Sequence, residues 1–309
     1  MVITLICPDK DPNPWIRALN ALDPALDIRV WPDDHPRDDI DLALTWAHPS
    51  GVLKEYPGLG CISSMGAGVD HLLSDPGLPE AVPVVRLVDD NLVRDMAEYL
   101  LLAVLCHFRQ FDVYQADQSE KTWHPLDPIN KQDCPVGIMG LGQLGRAAAR
   151  RLSKEGFPVL GWKNSPGALP ETETFHGDGQ LADFLGRTRI LICLLPLTPA
   201  TRHILNLETF SKLRPGAYLI NVGRGGHLRE EDLMTALDRG ILSGACLDVF
   251  ETEPLGTDHP FWTHPRIRIT PHVSSQTDVF SVAPQVLENI RRLRSGTPLL
   301  NLVDPKKGY

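Results

Sequence analysis

The segment VGIMGLGQLGRAAARRL, residues 136–152, constrains the fold of this chain more than any other stretch. A short apolar run ends at Gly140, further glycines stand at Gly142 and Gly145, and an alanine- and arginine-rich helical pattern follows directly. In a strand–turn–helix unit the first glycine permits a tight turn, the second lets the backbone approach a phosphate, and the third allows close packing of the helix. The segment therefore predicts a dinucleotide-binding unit, with a purely structural glycine-rich turn as the alternative.

Short apolar runs alternate with helical or turn segments in both halves of the 309-residue chain, a length that suits two domains. Such alternation favours parallel sheets flanked by helices. We predict an α/β fold with two doubly wound parallel-sheet domains. If the last helix returns to the first of them, the second is an inserted Rossmann domain, residues 101–275, and the first is a discontinuous, flavodoxin-like domain, residues 1–100 plus 276–309. The apolar spacing also predicts one long helix from Asp90 to about Ser119.

The composition of the chain limits which kinds of molecule it is expected to bind. The chain has 39 acidic and 30 basic residues, a net charge of -9, which argues against nucleic acid as a partner. The start, MVITLIC, lacks the features of a targeting leader and is typical of a first buried strand, so we expect a cytoplasmic protein that binds no membrane. Six scattered cysteines form no CxxC pair, which favours reduced thiols, and no histidine spacing indicates a metal site.

The second cofactor strand, FPVLGW, is followed by Lys163, Asn164 and Ser165. A carboxylate at this point binds the free ribose hydroxyls of NAD(H), whereas an ammonium group with amide and hydroxyl donors beside it suits a 2′-phosphate. NADP(H) is therefore the expected cofactor, with NAD(H) as the alternative. The alternative to phosphate binding is that Lys163 is an ordinary surface lysine exposed to solvent.

Three polar residues follow later strands, at the edge where open α/β sheets bind ligands: Arg224 after AYLINVG, Glu253 after GACLDVFET, and His272 after IRITP. Each alone has an ordinary structural explanation. Together they suit the reduction of a carbonyl, because a guanidinium binds a carboxylate in a bidentate fork and a glutamate favours the charged imidazolium that donates a proton. The hydride would come from the cofactor.

A resemblance to a known family adds to these patterns. The motifs VGIMGLGQLG, LPLTPATRHILN, LINVGRGGHL, LDVFETEP and ITPHVSS occur in order and resemble those of the D-isomer-specific 2-hydroxyacid dehydrogenases. The segment HFRQFDVYQADQSEKTWHPL and the closing VDPKKGY look like the glyoxylate/hydroxypyruvate reductase A branch of that family. The resemblance implies an NADPH-dependent reductase of small 2-oxo acids. Related reductases carry several basic residues after the second cofactor strand, and this chain has Lys163 alone.

The resemblance also implies roles for individual residues. It makes Arg224 the substrate-binding arginine, Glu253 the partner of the histidine, and His272 the acid. It places the cofactor against a set of residues in the inserted domain: Gly140, Gly142, Gln143, Leu144, Gly145, Lys163, Asn164, Ser165, Leu195, Pro196, Val222, Gly223 and Asp248. It assigns the substrate carboxylate to the loop SSMGAGVDHL, at Met65, Gly66, Ala67 and Gly68, with Trp46 either a pocket wall or a core residue.

The resemblance further implies a homodimer built through the cofactor domain. The irregular TWHPLDP segment would reach towards the partner, with Trp123 near the neighbouring active site or serving as a plain interface anchor. Two alternatives to the expected activity stay open. One is another D-2-hydroxyacid dehydrogenase that takes a larger substrate, and the other is a non-catalytic protein that senses the cofactor.

Overall fold

The computed structural model describes residues 1–169 and 172–304. The last five residues of the closing VDPKKGY segment therefore lie outside the described residues. The strands found in the described ranges are β1 (Val2–Ile6), β2 (Asp27–Val30), β3 (Leu42–Thr45), β4 (Cys61–Ser64), β5 (Val84–Val85), β6 (Val136–Met139), β7 (Val159–Lys163), β8 (Glu173–His176), β9 (Ile190–Cys193), β10 (Ala217–Asn221), β11 (Leu242–Leu247) and β12 (Ile267–Ile269).

The α-helices of the same ranges connect these strands, together with short 3₁₀ turns such as Gly225–His227. They are α1 (Asn13–Leu22), α2 (Asp70–Leu73), α3 (Asp90–Phe108), α4 (Phe111–Ser119), α5 (Gln143–Lys154), α6 (Leu181–Arg187), α7 (Leu207–Ser211), α8 (Glu230–Asp238) and α9 (Val279–Ser295). No helix of the described residues is long and apolar enough to cross a membrane.

The chain divides into two compact units. The first unit joins Met1–Leu92 to the segment that begins at Thr277, and the second unit is Val93–Gln276. The first contains a parallel sheet in the order β2-β1-β3-β4-β5 and the second a parallel sheet in the order β12-β11-β10-β9-β6-β7-β8. Both are doubly wound orders, so the predicted α/β fold class is confirmed. The substrate and cofactor roles of the two units stay predictions.

Each unit has apolar clusters on both faces of its sheet. In the first, Leu5, Leu44 and Ile290 belong to one cluster, whereas Ile62 and Leu72 belong to the other. Strands buried on two faces are expected to be apolar throughout, and β3, β6 and β10 are buried at every position. The ends of these strands are consequently held in place by the cores, which fixes the positions of the loops that follow them.

Two features of the second unit differ from the sequence-based expectations. The long helix predicted from Asp90 to Ser119 is broken, because Gln110 adopts a left-handed backbone with φ +59° between α3 and α4. Periodicity does not reveal such a break, since no glycine or proline marks it. Strand β8 was not predicted, because only Phe175 of its four residues is buried and the apolar signal is weak.

Candidate active site

The glycine-rich turn after β6 has the geometry of a phosphate cradle. Gly140 has φ +100°, and a Cβ there would lie 2.6 Å from the Leu194 carbonyl oxygen. A Cβ on Gly145 would lie 1.9 Å from the Gly140 carbonyl oxygen, so helix α5 can approach the turn only with glycine at this position. Gly142, by contrast, has no atom within 4 Å of its would-be Cβ. The open side of the turn, at the N-terminus of α5, fits the pyrophosphate of a dinucleotide.

Lys163 is the last residue of β7, and it is partly buried, whereas Asn164 and Ser165 are exposed. Its Nζ atom lies 2.8 Å from where a Cβ of Gly167 would stand, so the ammonium group lies over the turn that follows the strand. The structure thus places a cation at the strand end where the sequence predicts the 2′-phosphate. The binding role itself stays a prediction.

Arg224 follows β10 in a tightly held turn. Its Nη1 donates to the Gly223 carbonyl at 2.7 Å, and its own carbonyl accepts from Asn221 Nδ2 at 3.1 Å. The turn lies directly against the main chain after β11, because a Cβ on Gly225 would lie 1.8 Å from the carbonyl carbon of Phe250. The glycines of the VGRGG motif therefore set how close the arginine lies to the next strand's loop.

His272 and Glu253 form a direct pair, as the sequence-based roles require. The His272 Nδ1 atom lies 2.7 Å from Glu253 Oε2, and each side chain is 35% exposed. The other oxygen, Oε1, accepts from the Phe250 N–H at 3.0 Å. Burial raises the pKa of Glu253, but the hydrogen bonds from His272 and Phe250 outweigh it, and the pKa lies below its ordinary value. An ionised Glu253 holds Nδ1, which leaves Nε2 as the proton-carrying atom for a substrate.

Asp248 fixes the main chain around His272 through hydrogen bonds. His272 has φ +53°, a conformation that is uncommon for a residue other than glycine, and its N–H donates to the Asp248 carbonyl at 2.8 Å. The fully buried Asp248 carboxylate accepts from Thr270 Oγ1 at 2.6 Å and from the N–H groups of Val273 and Ser274 at 2.9 Å. Asp248 thus fixes the loop that carries His272, and its predicted contact with the cofactor stays a prediction.

Tyr99 extends this network and was not found from the sequence. Its hydroxyl lies 2.6 Å from Thr270 Oγ1, and it acts as the donor because Thr270 donates in turn to Asp248. Burial raises the pKa of Tyr99, so the hydroxyl keeps its proton. Nothing in the α3 sequence distinguishes a buried hydroxyl with this role from an ordinary core tyrosine.

The remaining residues with predicted cofactor roles lie near these groups in the chain. Gln143 and Leu144 begin α5, with Gln143 exposed and Leu144 partly buried. After β9, Leu195 is buried and Pro196 is partly exposed. The other members of the set are Val222, which is buried, and Gly223, whose N–H donates to Asn221 Oδ1 at 3.2 Å.

The order of strands brings the second unit's candidate residues to one edge of its sheet. Along the order β12-β11-β10-β9-β6, the loops that follow carry His272, Glu253, Arg224, Pro196 and Gly140 in turn, and Lys163 ends the next strand, β7. The carboxyl ends of parallel strands meet at one edge, which is where open α/β sheets bind ligands. The edge therefore runs from the Glu253–His272 pair, past Arg224 and the glycine-rich turn, to the Lys163 ammonium group.

The first unit contributes a loop after β4 that carries Met65, Gly66, Ala67 and Gly68. Met65 is buried, and the Gly66 N–H donates to Ser64 Oγ at 3.2 Å. Within the described residues, no hydrogen bond uses the N–H of Ala67 or Gly68. The N–H groups of residues 67 and 68 are thus available to an anion.

Trp46 lies against this loop. Its Cζ3 atom is 2.9 Å from where a Cβ of Gly66 would stand, the Lys10 ammonium lies 4.2 Å from the ring centroid, and the His71 ring is 4.8 Å away. The indole is partly buried and packs on the core of the first unit. The structure therefore shows Trp46 packed on the core and against the glycine-rich loop, and its role as a pocket wall stays a prediction.

Comparison with known proteins identifies the class that this fold and these residues define. Residues 101–274 match the model of the D-isomer specific 2-hydroxyacid dehydrogenase NAD binding domain, more than half of the chain. The chain belongs to the D-isomer-specific 2-hydroxyacid dehydrogenase family, a family of NAD(P)-dependent dehydrogenases, which confirms the predicted family and enzyme class.

Its similarity to individual relatives extends over the whole length. It is 42% identical to glyoxylate/hydroxypyruvate reductase A of Photorhabdus laumondii, with both chains fully covered, and 43% identical to that of Serratia proteamaculans, with 96% of each covered. A D-isomer specific 2-hydroxyacid dehydrogenase of Xanthobacter autotrophicus, solved with NADPH and MES, has a TM-score of 0.94 at 40% identity, covering 100% of this chain and 99% of that one. An NADPH-dependent glyoxylate/hydroxypyruvate reductase of Sinorhizobium meliloti, solved with NADP and sulfate, has a TM-score of 0.92 at 39% identity and the same coverage.

Proposed function

We propose that this protein reduces glyoxylate or hydroxypyruvate to the corresponding 2-hydroxy acid with NADPH as the preferred reductant. The observation that carries the proposal is the His272–Glu253 pair at 2.7 Å, on the sheet edge that also holds Arg224 and the glycine-rich turn. A cofactor-sensing protein has no use for a proton donor with a dedicated carboxylate partner. Relatives that are named for this activity cover the full chain.

The residues fit the cofactor at the open side of Gly142 and at Lys163. When bound, NADPH supplies the hydride that is added to the carbonyl carbon. His272 gives its Nε2 proton to the carbonyl oxygen, and Glu253 stabilises the imidazolium before the transfer and holds the ring orientation throughout. The Arg224 guanidinium binds the substrate carboxylate in a fork and polarises the neighbouring carbonyl.

In the first unit, the loop after β4 offers main-chain N–H groups that suit an anion such as a carboxylate. Those of Ala67 and Gly68 are the donors that the loop leaves unused among the described residues. Backbone donors in a fixed loop bind a carboxylate without the entropy loss of ordering long side chains. Trp46 supports the loop beside Gly66.

A panel of 2-oxo acids, each assayed with NADPH and with NADH, tests this activity. We expect the highest kcat/KM for glyoxylate or hydroxypyruvate with NADPH. A higher value for a larger or phosphorylated 2-oxo acid would assign another dehydrogenase activity, and binding of NADPH without turnover of any 2-oxo acid would favour a sensor.

We also propose that the active form is a homodimer. Helix α4 has no buried residue, yet it exposes Phe111, Val113 and Tyr114 at 54%, 43% and 38%, and Trp123 just beyond it is 96% exposed. Apolar side chains grouped this closely are typical of an interface, and a second copy is the commonest partner. Sedimentation of wild type and of Phe111→Glu tests this proposal. A monomeric wild type at micromolar concentration contradicts it, and a dimer that the variant dissociates supports it.

A further inference from the structure

His227 is a fully buried histidine for which the proposed reaction has no role. It ends the 3₁₀ turn Gly225–His227 that directly follows Arg224, and its relative exposure is 0%. A buried imidazole is stabilised by the hydrogen bonds that it forms, because an unpaired polar group in a protein interior is costly. The partners of its ring therefore indicate what the side chain does.

The Nδ1 atom of His227 contacts the main chain of Arg224. It lies 3.1 Å from the Arg224 nitrogen and 3.1 Å from the Arg224 carbonyl oxygen. That oxygen already accepts from Asn221 Nδ2 at 3.1 Å and from the His227 N–H at 3.2 Å. With the proton on Nε2, an atom that makes no hydrogen bond to the described residues, Nδ1 accepts the hydrogen bond of the Arg224 N–H.

The same ring also fixes the residue before the arginine. A Cβ on Gly223 would lie 3.1 Å from both Cε1 and Nδ1 of His227, and 3.4 Å from the carbonyl oxygen of Cys193 at the end of β9. The imidazole and the end of β9 thus approach the same glycine. The main chain at residues 223 and 224 is therefore enclosed on two sides, by the His227 ring on one and by the end of β9 on the other.

We propose that His227 is a positioning residue for Arg224, which it serves by fixing the main chain from which the guanidinium extends. The inference rests on the proposed function, because it concerns how Arg224 meets the substrate carboxylate. A bidentate fork is sensitive to small displacements, and a turn that loses its internal acceptor no longer holds the guanidinium in one place.

Three substitutions of His227 separate the contribution of the Nδ1 hydrogen bond to kcat/KM from that of the space that the ring fills. Asparagine places its Oδ1 where the imidazole has Nδ1, glutamine places its polar atoms near the Nε2 position, and leucine has no acceptor. Leaving a buried N–H without its acceptor costs about 1–3 kcal/mol, so we expect His227→Leu to lower kcat/KM for the 2-oxo acid by about 5- to 100-fold. His227→Asn should recover most of this loss, and His227→Gln should not.

A double-mutant cycle with Arg224→Lys distinguishes positioning from a general structural role. If His227 acts through the fork of Arg224, His227→Leu should cause a much smaller further loss in the Arg224→Lys background than in the wild type. His107→Leu is the matched control, because His107 is a histidine of the same unit whose ring stacks on Tyr218 at 4.0 Å. It should lower the melting temperature and leave kcat/KM unchanged, and the Kd for NADPH should change little in every variant.

Equal losses in both backgrounds, or losses that follow the melting temperature without recovery by asparagine, would overturn the positioning role. Wild-type turnover is measured first with the full 2-oxo acid panel. Absence of turnover in the wild type contradicts the proposed function. An active wild type whose kcat/KM is unaffected by His227→Leu contradicts this inference alone.

Discussion

The two sheets of this protein present different chemistry at their carboxyl edges. In the second unit the edge carries candidate catalytic side chains. The loops that carry them are fixed by hydrogen bonds of 2.6–3.2 Å to the side chains of Asp248, Glu253 and Asn221. In the first unit the loop after β4 offers main-chain N–H groups at Ala67 and Gly68. One edge therefore depends on the identity of its side chains, whereas the other depends on the course of its backbone.

This difference predicts how each edge responds to substitution. Changes of side chain in the second unit should remove a chemical step or a charge and cause large kinetic losses. Changes in the first unit that preserve the backbone should cause small ones. The predictions below test this contrast in decreasing order of effect.

His272→Gln tests the proton donor. We expect kcat for reduction to fall by about 10²- to 10⁴-fold, the range for a positioned acid, because glutamine cannot give up a proton. The Kd for NADPH, measured by fluorescence titration, should change little. Near-normal kcat would exclude His272 as the acid.

Arg224→Lys keeps the charge and removes the planar fork. We expect kcat/KM for the 2-oxo acid to fall by about 10- to 100-fold, because a point charge cannot form both charge-assisted hydrogen bonds. Steady-state kinetics over a range of substrate concentrations give this value. An unchanged kcat/KM would show that Arg224 does not bind the substrate.

Lys163→Asp tests the ammonium group at the far end of the same edge. Loss of a charge-assisted hydrogen bond to the 2′-phosphate should weaken NADPH by about 10- to 100-fold, while NADH stays level or binds better. The difference should shrink at higher salt, because screening weakens the charge interaction. An unchanged NADPH/NADH ratio would assign the phosphate to Asn164 and Ser165 instead.

Glu253→Gln tests the charge next to the imidazole. The wild-type carboxylate is ionised, because its pKa lies below the ordinary value, and it stabilises the imidazolium. Glutamine keeps an acceptor for Nδ1 and removes the charge, so the substitution isolates the electrostatic part of the pair. We expect kcat for reduction, measured at saturating substrate, to fall about tenfold. A kcat equal to that of the wild type would mean that the pair serves orientation alone.

Ala67→Ser is the matching test for the first unit. Residue 67 is partly exposed, so a hydroxyl fits, and the N–H group is unchanged. We expect kcat/KM to change by less than about threefold, in the range of ordinary surface substitutions. A loss as large as that of Arg224→Lys would contradict the contrast between the two edges.

The sequence predicted those parts of the molecule that depend on apolar pattern or on chemically distinctive residues. The glycine-rich turn and the order Arg224, Glu253, His272 could be found because glycines and charged side chains stand out after buried strands. Strand β8 could not, because Phe175 alone of its residues is buried. The break at Gln110 depends on a left-handed conformation for which the chain has no glycine or proline signal.

The residues that support the candidate site could not be predicted from the sequence for a different reason. Tyr99 is separated from Thr270 by 171 positions, and a tyrosine at helical spacing looks like core. His227 stands three positions after Arg224, yet its contact depends on a 3₁₀ turn that lies directly against the main chain after β11. Such contacts depend on how the folded backbone brings residues together, so a local sequence pattern cannot predict them.

The strand order of the second sheet has a consequence for engineering. Between the loop of Glu253 on β11 and Lys163 on β7 lie four strand spacings, roughly 19 Å at the usual separation of neighbouring strands. Sites this far apart usually contribute independently to free energies. Under the proposed function, substitutions around Lys163 that change the choice of nicotinamide cofactor can therefore be developed apart from those at the proton donor and then combined.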